Sequence, residues 1–172
     1  MSKKYTLAEA NKLLRALMDE SSMILNDESN TCTFHAAVGE SIEDVRPEYS
    51  FSETTRKLNE LKDKMLVVKH AINVFNVSTV VPGTDGLTVD QVLVLLPKMT
   101  QRQKKLREMV KAQKMERVSG FRVSGNIIDY IHTNFDREEV KAEYERLTEE
   151  LNALRMNLDL LNNTVAEVEI DI

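Results

Sequence analysis

The chain has 172 residues, a formal net charge of -5 and a single cysteine, with 42% hydrophobic and 30% charged residues. This composition fits one helix-rich globular domain over residues 1–172 and excludes a disordered chain; with one thiol, an intrachain disulfide framework is excluded too. The acidic balance argues against a protein built to coat nucleic acid, and the lone Cys32 points to a reducing, cytoplasmic setting.

The opening stretch, MSKKYTLAEANKLL, passes straight into polar residues and lacks the apolar run of an export signal. Leu7, Ala10, Leu14, Leu17 and Ile24 then recur at three- and four-residue steps, which predicts an amphipathic helix over residues 6–26. In NTCTFHAAV, Cys32, Phe34, Ala36 and Val38 alternate with Thr31, Thr33 and His35, the pattern of a half-buried strand. A polar loop leads to Ser50, and Glu53 three residues later reads as a capping box opening a second helix.

The second helix carries a heptad-like seam of Phe51, Leu58, Leu61, Met65, Val68, Ile72 and Phe75. Next comes NVSTVVPGTDGLTVD, in which Val80 and Val81 precede a turn-forming PGTDG and Leu87 and Val89 follow it. Proline, glycine and aspartate preset turn geometry, so the stretch is expected to reverse the chain rather than to form a catalytic loop. Thr88 and Gln91 form a second capping box for a third helix running to about residue 116, with a kink or break expected near Pro97. The aliphatic run VLVLL near its start is far shorter than the about 20 residues that span a bilayer.

The Ser-Gly breaks within VSGFRVSGNIIDYIHT predict a small hairpin or paired strand over residues 118–133. Asp136 with Glu139 then opens a last helix with its own seam of Val140, Tyr144, Leu147, Leu151, Leu154, Leu158, Leu161 and Val165. The terminal VEIDI alternates and is expected to add an edge strand. The third helix is rich in lysine and arginine from Lys98 to Arg117 and the last is rich in glutamate, so the two are expected to be neighbours. The fold class is therefore mainly α, with long antiparallel helices and a small β element. Three narrow seams on one short chain predict a homo-oligomer in which heptad helices pack between subunits.

INVFNVSTVVPGTDGLTVDQVL, NIIDYIHTNFDREEV and the terminal LDLLNN resemble the septicolysin-like family of small bacterial helical proteins. The similarity runs from about residue 50 onward. Asn73, Asn76, Asp85, Gly86 and Thr88 carry the motif, while Leu95, Leu96 and Pro97 stand where the resemblance implies an arginine–aspartate pair. The family is functionally uncharacterised, and its name implies a membrane-active cytolysin.

Candidate chemistry is sparse. Cys32 and His35 form the one close Cys/His pair, but residues three apart on a strand point to opposite faces, so they make a poor half of a zinc site. His70 and His132 lack a nucleophile or acid at catalytic spacing, and neither a G-x-S-x-G nor a P-loop motif occurs. Asp85-Gly86 is a turn dipeptide, and Asn73, Asn76, Asn162 and Asn163 sit where helix-end capping is expected. The basic helix lacks interleaved aromatic residues for stacking on nucleic acid bases. These readings lead to a non-enzymatic, cofactor-free interaction or scaffold protein; the alternatives are a membrane-active cytolysin, a prefoldin-like holdase or a metal-binding protein.

Overall fold

The computed structural model describes residues 3–117, 129–165 and 167–172. Its order is β1 (Lys3–Tyr5), α1 (Leu7–Thr31), α2 (Ile42–Val45), α3 (Phe51–Ser78), α4 (Val89–Lys111), β2 (Met115–Arg117), β3 (Tyr130–His132), α5 (Arg137–Thr164) and β4 (Val168–Ile170). The fold is mainly helical, as the sequence predicts, with two small antiparallel strand pairs among the described residues. The chain forms two compact units, one of Met1–Thr79 with Leu160–Ile172 and one of Val80–Asp159.

In the first unit, α1 and α3 pack against each other as an antiparallel pair. Thr6 starts α1 with a full capping box, its hydroxyl accepting from the Glu9 N–H while the Glu9 carboxylate accepts from the Thr6 N–H. Helix α1 runs past the predicted end near residue 26 to Thr31, where Ser29 and Thr31 hydroxyls donate back to the carbonyls of Leu25 and Asp27 at 2.8 and 2.7 Å. Tyr49 Oη donates to Glu28 at 2.6 Å, which places the start of α3 beside the end of α1.

The expected strand over residues 32–38 is absent: Cys32, Phe34, His35 and Val38 are exposed loop residues that pair with no strand among the described residues. Alternation over so short a stretch specifies a strand only when a ladder partner and a covering layer exist. At the start of α3, Ser50 accepts from the Glu53 N–H, but the Glu53 carboxylate turns to Lys57 at 3.0 Å instead of closing the box. Leu61, Val68, Ile72 and Phe75 of α3 are buried, as are Leu7, Ala10 and Leu17 of α1. Strand β1, which the sequence reading did not foresee, pairs with β4 in the register Lys3↔Ile170 and Tyr5↔Val168. Val168 and Ile170 of β4 are buried and Glu169 points outward, the alternation expected of VEIDI.

In the second unit, the hydrogen bonds between α4 and α5 show how they pack. Arg155 donates to Thr100, Gln103 to Thr148, Arg107 to Tyr144 and Arg137 to the Val110 carbonyl, so partner numbers fall on one helix as they rise on the other and the pair is antiparallel. The two helices are neighbours, as their opposite charges suggest, but the ion pairs of Arg146 run along α5 to Glu143 and Glu150 rather than across. Helix α4 ends at Lys111, short of the expected residue 116, because Met115–Arg117 extends to pair with Tyr130–His132. It stays helical through Pro97, which is exposed and has no backbone N–H to offer the preceding turn. The part of the predicted hairpin at residues 118–128 lies outside the described residues.

The seam of α5 is almost wholly buried, with Leu147, Leu151, Leu154, Leu158 and Leu161 at 7% exposure or less. Each such side chain contributes about 1.5–3 kcal/mol relative to exposure. The seam of α5 is therefore covered within the single chain. On α3 the seam is covered only in part: Leu61, Val68, Ile72 and Phe75 are buried, Leu58 and Met65 are half-buried and Phe51 is exposed.

Candidate interaction surface

The PGTDG turn is built from hydrogen bonds around one side chain. Thr84 Oγ1 donates to the Val81 carbonyl at 2.7 Å and accepts from the Leu87 N–H at 3.2 Å. Val80 and Thr88 form an antiparallel bridge, and Val81 N–H donates to the Leu87 carbonyl at 2.8 Å. Gly83 and Gly86 have φ of 73° and 82°, the left-handed region that a side chain disfavours. Thr88 and Gln91 make the predicted capping box, which hands the chain to α4. Asp85 is exposed at the tip, so the stretch is a turn in structure as well as in sequence.

The candidate ligating residues are scattered. Cys32 and His35 lie in the exposed loop after α1, His70 is exposed on α3, and His132 is exposed on β3 with its ring 6.4 Å from that of Tyr130. Among the described residues, no group of three His, Cys, Asp or Glu side chains is placed to hold a metal ion. Asn73 and Asn163 are exposed; Asn76 and Asn162 each bury a side-chain oxygen that lacks a hydrogen-bond partner among the described residues. Leu95 and Leu96 are half-buried on α4 and Pro97 is exposed.

Two clefts carry polar groups, some of them paired with one another. One, of about 640 Å³ between the end of α1 and the start of α3, is lined by Asp27, Glu28, Glu48, Tyr49 and Glu53. Its hydrogen bond to Glu28 pushes the Tyr49 phenol up to about 12, with burial and the negative charge of Glu28 adding to the shift. The other, of about 400 Å³, lies between the turn and α5, where Asp85, Glu150 and Asn157 are the main polar groups and Glu150 is held by Arg146.

The feature that sequence reasoning missed is a second apolar row on α3. Val67 and Val74 are 42% and 49% exposed, and Leu66 and Val77 are more exposed still, although all four belong to a helix that already buries Leu61, Val68, Ile72 and Phe75 on another face. Val67, Ala71 and Val74 floor an open groove of about 540 Å³, and Glu167, Glu169 and Asp171 at β4 form its acidic wall. The signal was present in the sequence: α3 has more aliphatic residues than one heptad seam uses.

No family model matches the chain, and no curated protein matches it. A crystal structure of a functionally unknown conserved protein from Corynebacterium diphtheriae is similar in fold, with a TM-score of 0.61 at 17% sequence identity, covering 98% of this chain and 100% of that one. At that identity the likeness is one of fold. Among the described residues no helix is long and apolar enough to cross a membrane.

Proposed function

We propose that this protein acts by contact rather than catalysis, as a cytoplasmic, oligomeric helical interaction protein. The observation that carries the reading is the exposed aliphatic row of α3, where Val67 and Val74 lie open while Leu61, Val68, Ile72 and Phe75 of the same helix are buried. Isolated exposed aliphatic residues are ordinary on a protein surface, but a row at helical spacing beside a groove marks a surface suited to a partner. The scattering of Cys32, His35, His70 and His132 favours binding over acid–base or metal chemistry.

Size-exclusion chromatography with light scattering tests the reading. An oligomer is expected, and a monodisperse species of 19.7 kDa at all concentrations contradicts it. The resemblance to septicolysin-like proteins brings a membrane-active alternative; dye release from vesicles at micromolar protein would move the assignment there.

A further inference from the structure

Helix α3 shows two faces. One is the buried seam of Leu61, Val68, Ile72 and Phe75. The other, displaced around the helix at 100° per residue, is the row Val67, Ala71, Val74 and Ser78 in steps of four, three and four. This row is the floor of the acid-walled groove, which lies wholly within the first unit. A partner that fits it is apolar along its middle and cationic at its edge.

The same helix supplies that chemistry. One step up the row from Val67 is Lys64, which is exposed. Its neighbours Arg56, Lys57 and Lys62 stand 2.7, 3.0 and 3.7 Å from carboxylates, whereas Lys64 has no ion pair among the described residues. On the wall of the groove Glu169 is shared with Lys4 at 3.6 Å, while Glu167 has no ion pair among the described residues. Ala71, in the middle of the row, is small enough to let two helix axes approach to about 8–10 Å.

We infer that the occupant of this groove is a second copy of the chain, two α3 helices crossing antiparallel about Ala71 so that Lys64 of each copy pairs with Glu167 of the other. In that crossing Val67 and Val74 of one copy lie against Val74 and Val67 of the other, and each Lys64 comes level with Ser78 in the acid-walled groove. The contact is isologous and therefore closes at two subunits. The inference rests on the oligomeric reading above and names its surface.

Sedimentation equilibrium of the full chain tests it, with circular dichroism confirming that each variant keeps its helices. The wild-type chain is expected to dimerise. Val74→Asp places two charges in the apolar centre and is expected to raise the dimer dissociation constant by about a hundredfold or more. Lys64→Glu and Glu167→Lys each set like charges together twice per dimer and are expected to raise it by about tenfold, while the double reversal restores it to within about threefold of wild type. Failure of the double reversal to restore association overturns the Lys64–Glu167 pairing. If the wild-type chain associates and Val74→Asp associates equally well, the surface is wrong and the oligomeric reading stands; a monomeric wild-type chain overturns both.

Discussion

Among the described residues Gln103 is the one polar residue in the buried set, 9% exposed on α4, and its Nε2 donates to Thr148 Oγ1 of α5 at 2.9 Å. The Thr148 hydroxyl in turn donates to the Tyr144 carbonyl at 2.7 Å. The two single replacements are therefore unequal. Thr148→Val keeps the β-branched shape but leaves the Gln103 amide buried without an acceptor, a loss of about 1–3 kcal/mol. Gln103→Leu removes the amide and leaves the hydroxyl its bond to Tyr144, so it is expected to change stability by less than about 1 kcal/mol, and the double replacement should lie nearer to Gln103→Leu than to the sum of the two.

Urea denaturation followed at 222 nm reads the difference. With a slope of about 2 kcal/mol per molar urea, a 2 kcal/mol loss moves the midpoint by about 1 M. Additive single effects, or a Gln103→Leu loss larger than that of Thr148→Val, would refute the reasoning that an orphaned amide sets the cost.

Two further predictions concern the turn and the Tyr49 cleft. A Cβ on Gly86 meets open space, so Gly86→Ala should cost only the left-handed backbone term of about 1–2 kcal/mol. A Cβ on Gly83 would sit 2.7 Å from Asn157 Nδ2, so Gly83→Ala should cost more, with Asn157→Ala relieving the excess; equal losses for the two glycines in thermal unfolding would contradict the packing of the turn on α5. Tyr49 should ionise near pH 12 in the difference between wild-type and Tyr49→Phe absorbance titrations at 295 nm. Because its proton is held more tightly in the folded chain, the stabilisation is complete below the unfolded value of about 10 and fades as pH rises through about 12. Glu28→Gln should lower that midpoint, and an ionisation of Tyr49 near 10 in the wild-type chain would exclude the Glu28 hydrogen bond.

Much of the architecture was legible because burial and helical period speak through the same residues. Leu147, Leu151, Leu154, Leu158 and Leu161 announce one face of α5, and Thr88 with Gln91 and Asp136 with the Glu138 and Glu139 amides announce where helices begin. Short strands were harder. Lys3–Tyr5 is too brief to carry a period, and the alternating Cys32 to Val38 segment has the pattern of a strand without a neighbour to pair with. The candidate surface was hidden for a different reason. Val67 and Val74 are interrupted by Lys69, His70 and Asn73, and only tertiary packing shows that no other part of the described chain covers them.

Hydrogen exchange of the wild-type chain, compared between a dilute sample and a concentrated one, tests most directly whether the open row of α3 is a contact surface. The account predicts that concentration slows exchange in α3 from Lys64 through Ser78 and in β4, and leaves the basic face of α4 unchanged. Identical exchange at both concentrations, or slowing confined to α4 and α5, would contradict it.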